Sequence, residues 1–347
     1  MTQLFTCWTA EAGAADAARA GGKAAALGEL ARAGLPVPPG FVITTAAFLL
    51  HMDGVDPDGA ARGALEALAA DDLAGIARAA AGLRGRVVAT GLPPEVASEI
   101  APACAALGDG PVAVRSSATL EDSAEASFAG LQDTYLAVRG TDAVLDRVRA
   151  CWASLYNDES IAYRRRQGTG EAGLAMGVVV QRMLNPRSAG VMFTRSPVTG
   201  DRSVVAIEGT WGLGSALVGG EVTPDSFTVS KVTGEITGRR VGVKLRVHSF
   251  APNGQGVSAT PMAVPLRRTP CLTDDEVRAL VRLGRQVEDH YGAPQDIEWA
   301  LLGDSPGRFV LLQSRPETVW AARDRGPIAS PQAKASDHVL ARFSRGL

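Results

Sequence analysis

Two groups of residues, far apart in the chain, have types and spacings suited to holding a polyanion. In the segment Pro111–Val138, an apolar Val112-Ala113-Val114 leads into Arg115, Ser116, Ser117 and Thr119, followed by the acids Glu121, Asp122 and Glu125. A small-residue loop, Ser127-Phe128-Ala129-Gly130, then precedes Thr134-Tyr135-Leu136-Ala137-Val138. A guanidinium offers a rigid fork of donors, and small residues let backbone N–H groups approach an anion closely. Taken singly, Arg115 reads equally well as an ordinary ion-pair partner.

The second group is Asp296, Glu298, Gln313 and Arg315, on two apolar-rich runs separated by Gly303-Asp304-Ser305-Pro306-Gly307-Arg308. A hairpin with Leu302 opposite Phe309 would set Trp299 against Leu312 and Leu301 against Val310 on one face. The other face would then bring Glu298 against Gln313 and Asp296 against Arg315. Glu298 and Gln313 supply the hard oxygens that a magnesium ion prefers when it also holds phosphates. A solvated ladder of paired polar residues is the alternative on spacing alone. Near the start, Gly21-Gly22-Lys23 opens a helical pattern, where unpaired N–H groups and the helix dipole favour a phosphate. It is not a P-loop, because Ala17 and Ala24 stand where that motif needs Gly and Ser or Thr. Lys23, Arg115 and Arg315 as anion binders, with Glu298 and Gln313 as metal ligands, together describe a nucleoside triphosphate site.

The elements that must position these residues alternate in period. Leu27, Leu30 and Ala31 share one helical face, Gly34 stops that helix, and Phe41 to Thr44 reads as a short strand. Residues 53–108 are Ala- and Leu-rich and helical, broken at Pro57 and Pro93-Pro94. Asp142 to Tyr156 forms a helix with Val144, Val148, Cys151, Trp152 and Leu155 on one face, and Arg164-Arg165-Arg166 reads as a solvated helix end. Strands are expected at Gly177–Gln181, Ala189–Thr194 and Val204–Ile207, with a hairpin from Ser226 to Thr237. Glu208 to Gly214 reads as a glycine-rich loop but not a dinucleotide fingerprint, since Leu217 occupies the third glycine position. Phe250 to Pro265 reads as an exposed loop. Thr273 caps a helix that runs to Gly292.

With 347 residues, two lobes are the expectation. An apolar fraction of 46% and a charged fraction of 21% suit a globular protein with a real core. A net charge of -2 argues against broad nucleic-acid binding but permits a local basic pocket. The cysteines, Cys7, Cys104, Cys151 and Cys271, form no CxxC pair, which fits reduced thiols. No apolar run approaches the ~20 residues of a membrane span, and the start lacks an export signal, so a cytoplasmic protein with no membrane partner is expected.

The segments GGKAAALGELARAGLPVPPGFVIT, VAVRSSATLEDSAEASFAGLQDTYL, GVMFTRSPVTGD, GTWGLGSALVGGEVTPD, GAPQDIEWAL and LLQSRPET resemble, in order, the N-terminal ATP-binding domain of phosphoenolpyruvate synthase, pyruvate phosphate dikinase and rifampin phosphotransferase. The resemblance runs from about Gly21 to Thr318. It implies an α+β, ATP-grasp fold whose two lobes clamp ATP and Mg2+, with an N-terminal lobe at 1–185, a C-terminal lobe at 186–320 and a tail at 321–347. It further implies that Lys23, Arg115 and Arg315 contact phosphates and act in catalysis, and that Glu298 and Gln313 hold the magnesium. Ser127 to Gly130, with Thr134 behind, would cover the triphosphate; Gln181 would lie near the adenine, and Glu208 and Asp296 near the nucleotide.

In such proteins the ATP domain phosphorylates a histidine on a swivelling domain and releases AMP, and a third domain binds the acceptor. None of His51, His248, His290 and His338 lies in the T-x-x-G-G-x-x-S-H context of that carrier. The expectation is therefore a phosphotransferase subunit that hands its phosphoryl group to a histidine on a separate protein bearing the swivel and acceptor domains. The alternatives are a nucleotide-binding regulatory module without turnover and a purely structural subunit. Three positions depart from the family pattern: Leu131 replaces a usual Gln, Ala137 a usual Asn and Ser215 a usual Glu.

Overall fold

Two antiparallel sheets, each with its own buried core, meet across a cleft in the computed structural model, which describes residues 4–13, 16–119, 133–166, 168, 170–171, 173–303 and 307–320. The chain enters through β1 (Thr6–Trp8), α1 (Ala17–Ala20), α2 (Gly22–Arg32) and β2 (Gly40–Ile43). It then runs through α3 (Thr45–Val55), α4 (Ala60–Ala67), α5 (Leu73–Ala89) and α6 (Pro94–Leu107). The first sheet is completed by β3 (Val112–Ala118), β4 (Thr134–Val138) and, after α7 (Thr141–Ala153) and α8 (Asp158–Arg166), by β5 (Met176–Arg182). Its order is β1-β2-β5-β3-β4, so the strand carrying Arg115 is flanked on both sides. The helical 53–108 region and its proline breaks are as expected. Trp152 is fully buried beneath this sheet, edge-on to Phe48 at 5.9 Å and tilted over His51 at 5.1 Å.

The second sheet is built from β6 (Ser188–Phe193), β7 (Val204–Trp211), then, past α9 (Ser215–Val218), β8 (Asp225–Ser230) and β9 (Ile236–Arg240). A separate hairpin of β10 (Arg246–Phe250) and β11 (Val257–Pro261) leads to α10 (Asp274–Tyr291), β12 (Gln295–Leu302) and β13 (Arg308–Pro316). The order is β13-β12-β6-β7-β8-β9. Thr273 caps α10 reciprocally with Glu276, which saves two otherwise unpaired N–H groups. Val277, Leu280, Val281 and Val287 bury the apolar stripe of α10 against Met192, Ile207, Ile297 and Trp299. The fold is the expected α+β, two-lobed architecture.

Helix α2 ties the two cores together. Leu30 is fully buried in the second core, although Leu27 on the same helix belongs to a cluster under the first sheet. The Leu311 N–H donates to Pro36 O at 2.7 Å, and Tyr291 Oη donates to Ala26 O at 3.3 Å. The helix begins at a close approach: Gly21 has φ +83°, and a Cβ there would lie 1.9 Å from Ser117 O, so only glycine fits.

Four expectations need correction. Residues 250–265 are not one continuous loop, because β10 and β11 pair from Arg246–Pro261 to Phe250–Val257; β11 is short and mostly exposed, with Ala259 and Pro261 at two of its three apolar positions, which weakens the alternation that marks a strand. Glu208 to Trp211 continues β7 instead of opening a loop, since Gly209 and its partner Gly190 are the space in which the Trp299 indole lies. Arg164 is not solvated: it is 1% exposed and bonds Glu171 Oε2 at 2.6 Å and Leu155 O at 2.6 Å. The β12–β13 register matches expectation at Glu298–Gln313 and Asp296–Arg315. It then slips by one, so that Trp299 pairs with Leu311, Ala300 with Val310 and Leu301 with Phe309.

A second irregularity sits in β4, where Ala137 has φ +54°, the described non-glycine residue with a left-handed backbone. Asn tolerates that region and Ala does not, which is the physical content of the departure noted at this position. Relieving the Cβ clash outweighs the added freedom of the unfolded chain. Ala137→Gly therefore raises unfolding stability by about 0.5–1 kcal/mol in a urea titration; a loss of stability would refute strain at this residue.

Candidate functional site

Strand β3 presents Arg115 from the first lobe, and the β12–β13 hairpin presents its acceptors from the second. Arg115 Nη2 lies 2.6 Å from Gln313 Oε1 and 3.2 Å from Glu298 Oε2, while Nη1 donates to Leu312 O at 2.8 Å. The register slip explains the third bond. Leu312 is the extra residue of a β-bulge, so its carbonyl leaves the ladder and turns to the guanidinium instead. Arg115 and Gln313 are buried, whereas the Glu298 side chain is 39% exposed at the mouth of the cleft. Arg115 Nε is buried with no hydrogen-bond partner among the described residues.

Beside this charged end lies a cavity of about 300 Å3 between the lobes. Arg115, Thr134, Gln181 and Glu298 reach it, and Leu136, Met183, Leu184, Leu213, Val218 and Leu312 give it an apolar wall. Gln181 is buried on β5 and donates through Nε2 to Pro38 O at 3.4 Å. A cavity with convergent charge at one end and aliphatic side chains along the rest suits a ligand that is itself half anion and half flat apolar ring.

The remaining expected residues surround this arrangement. Lys23, in the first turn of α2, donates to Ser116 O at 3.1 Å, one residue from Arg115. Ala24 N, on the next residue, donates to Ser117 Oγ at 3.1 Å and fixes the helix start against β3. Arg315 Nη2 sits 3.3 Å from Asp296 Oδ2, as the register required. Burial pushes the Asp296 carboxyl up to about 6, overcoming the attraction of Arg315, and the negative charge of Glu317 adds to the rise. Glu208 pairs with Val191, which pairs with Glu298, so the two carboxylates share one sheet face, two strand spacings or roughly 10 Å apart. Ser127, Gly130 and Leu131 lie outside the described residues.

The fit of this site to a divalent cation can be judged from Arg115. The Glu298 and Gln313 oxygens converge on one nitrogen, Nη2, so the pair already coordinates positive charge with hard oxygens. Among the described residues no group of three or more His, Cys, Asp or Glu side chains could hold a metal by itself. No helix among the described residues is long and apolar enough to cross a membrane.

Two features escaped the sequence reading. The Leu312 carbonyl is invisible because a bulge has no residue signature here. The contact of Ser215 Oγ with His248 Nδ1 at 2.9 Å joins residues 33 positions apart, with the β8–β9 hairpin between them, and no local pattern announces it; only the departure at Ser215 hinted at it.

Comparison with known proteins supplies an independent line. Residues 17–336 match the family described as pyruvate phosphate dikinase, AMP/ATP-binding domain. A rifampicin phosphotransferase from Streptomyces sp is 47% identical over 307 residues, covering 88% of this chain and 35% of that protein. A probable phosphoenolpyruvate synthase from Methanothermobacter thermautotrophicus is 42% identical over 320 residues, covering 90% of this chain and 46% of that protein. The chain thus spans between a third and a half of the length of these relatives. Among solved structures, D-alanyl-alanine synthetase A from Vibrio cholerae aligns with a TM-score of 0.27 and 11% identity, over 73% of this chain and 56% of that one.

Proposed function

The chain belongs to the pyruvate phosphate dikinase AMP/ATP-binding domain family, and on that premise we propose that it is the ATP-clamping, ATP-grasp unit of a phosphoenolpyruvate-synthase-like phosphotransferase. The observation that carries the reading is Arg115 reaching across the cleft to Glu298, Gln313 and Leu312 beside a nucleotide-sized cavity. The base would lie among Met183, Leu184 and Leu213 with Gln181 at its edge, and the phosphates would extend toward Arg115, Lys23 and Arg315.

In this mechanism Arg115 exchanges its bonds to Glu298 and Gln313 for phosphate oxygens, and Glu298 and Gln313 are the side chains that would hold Mg2+. The metal, when bound, supplies neutralisation of the polyphosphate charge. Lys23 and Arg315 hold the phosphates in line, and the buried guanidinium meets negative charge as it develops, at little reorganisation cost. The acceptor is a histidine on a swivel domain of a separate protein: its nitrogen–phosphorus bond forms at the β-phosphorus as the bond from that phosphorus to the bridging α–β oxygen breaks, so AMP leaves and the β,γ-pyrophosphoryl group passes to the histidine. Hydrolysis of the β–γ linkage by water then releases inorganic phosphate and leaves phosphohistidine. No side chain of this unit acts as the nucleophile.

The test pairs binding with product analysis. Calorimetry is expected to show Mg2+-ATP binding that weakens about tenfold or more in Glu298→Ala, a loss appropriate to removing one charged ligand. AMP is expected only when the histidine-bearing protein is present, together with acid-labile label on that protein. ATP affinity that survives Glu298→Ala with no phosphohistidine on any candidate would instead favour a regulatory nucleotide-binding module. ADP as the sole product with every candidate would also count against transfer from the α–β linkage.

A further inference from the structure

Ser215 stands at the seam of two cavities. It lines the cleft described above and also a neighbouring cavity of about 530 Å3, whose wall includes β4, Arg139, His248 and the β10–β11 hairpin. Thr134 and Leu136 border both spaces as well. Behind Ser215 runs a short polar chain: Oγ lies 2.9 Å from His248 Nδ1, and His248 Nε2 lies 3.3 Å from Glu221 Oε2. His248 is 7% exposed, while the Glu221 side chain is 43% exposed.

The direction of these bonds follows from their chemistry. A carboxylate can only accept, so His248 carries its proton on Nε2. In the neutral ring Nδ1 then accepts, and the Ser215 hydroxyl donates to it. The lone pairs of Ser215 Oγ are thereby left to accept from a ligand. If Arg115 and Glu298 mark the phosphate end of the cleft and Gln181 the base end, the side-chain hydroxyls among the remaining lining residues are those of Thr134 and Ser215. Of these, Ser215 has a buried imidazole fixing it as an acceptor.

The geometry points to Ser215, oriented by His248 and Glu221, as the acceptor for a sugar hydroxyl of the nucleotide, and to the second cavity as the space that receives a substituent carried on that sugar. This rests on the nucleotide reading above and goes beyond it, because it assigns selectivity for ribose and tolerance of ribose esters to residues outside the phosphate and metal set. His248 and Glu221 are positioning residues: they do not touch the nucleotide but hold the hydroxyl that does.

The experiment measures dissociation constants of the Mg2+ complexes of ATP, 2′,3′-dideoxy-ATP and the fluorescent 2′/3′-O-(N-methylanthraniloyl)-ATP. The native chain is expected to prefer ATP over the dideoxy nucleotide by about tenfold, the size of one lost hydrogen bond in a desolvated site. Because one sugar hydroxyl remains and the ester enters the second cavity, the anthraniloyl nucleotide is expected within about threefold of ATP. Ser215→Ala and His248→Phe are expected to remove the preference by weakening ATP alone, with dideoxy-ATP affinity unchanged, which separates positioning from loss of fold. Equal affinity of the native chain for ATP and dideoxy-ATP overturns the inference while leaving the nucleotide reading standing. A preference that survives Ser215→Ala, or rejection of the anthraniloyl nucleotide by more than about thirtyfold, overturns it too. Failure to bind any of the three overturns both.

Discussion

Arg115→Lys lowers the rate of partner-dependent AMP formation by about three orders of magnitude, the scale on which removing a charge-stabilising donor from a closed phosphoryl-transfer site acts. The expectation rests on shape more than on charge. The guanidinium now serves three acceptors through two nitrogens: Nη1 holds Leu312 O at 2.8 Å, and Nη2 holds Gln313 Oε1 at 2.6 Å and Glu298 Oε2 at 3.2 Å. A lysine ammonium is a single point on a flexible stem and cannot reproduce the fork. In the variant the Leu312 carbonyl loses its partner, and the bulge that displays it loses its purpose. ATP affinity is expected to fall far less than the rate, because Lys23 and Arg315 remain to hold phosphate. Single-turnover quench experiments with the histidine-bearing partner separate the two effects. A variant within about threefold of the native rate would remove Arg115 from the chemistry.

Lys244→Met destabilises the second lobe by about 3–5 kcal/mol, the cost of leaving a buried charge without its partner. Lys244 and Asp225 are both fully buried, and their side chains are hydrogen-bonded to each other. Asp225 also accepts from Gly242 N at 2.9 Å and Cys271 N at 2.7 Å, and Lys244 donates to Gly242 O at 3.1 Å. One carboxylate thus gathers the start of β8, the segment before β10 and the lead into α10. Burial first, and then Asp225 beside it, pushes the Cys271 thiol well above its usual range, so this cysteine is a packed core group and not a reactive one. Urea unfolding checks the prediction; a change under about 1 kcal/mol would show that solvent reaches the pair. The same contacts give the Thr223-Pro224-Asp225 part of a family-like motif a structural meaning.

How much of this was readable beforehand depended on whether the controlling interaction was local. The Thr273–Glu276 capping box, the stripe of α10 and the Trp152 face repeat at helical spacing, and all three appear where the periodicity puts them. Glu298 opposite Gln313 was legible because strand alternation sorts that face correctly up to the bulge. Beyond the bulge it was not, since the slip at Leu312 answers to Arg115, 197 residues away. Arg164 failed for the opposite reason: three successive arginines look solvated, and nothing nearby announces that Glu171 will be buried with the first of them. Glu208–Trp211 failed because glycine signals a turn in most sequences, whereas Gly190 and Gly209 are spacers for an indole supplied by another strand. The lining of the cavity by Met183, Leu184 and Leu213 was equally hidden, because aliphatic residues after a strand carry no mark of a ligand.

Helix α2 has a consequence for how the molecule is made. Leu30 emerges from the ribosome early, yet its companions in the second core, among them Met192, Trp299 and Leu311, follow much later. At translation speeds of about 5–20 residues per second, the seat of α2 stays incomplete for roughly 6–26 s between the end of β5 and the synthesis of Leu311. During that interval the nascent chain displays a helix with half its seat missing, and the late β13 strand closes it by receiving Pro36 O on the Leu311 N–H. The strand that covers α2 is the same one that carries Gln313 and Arg315, so a chain interrupted before β13 has neither a fully covered helix nor the complete charged site.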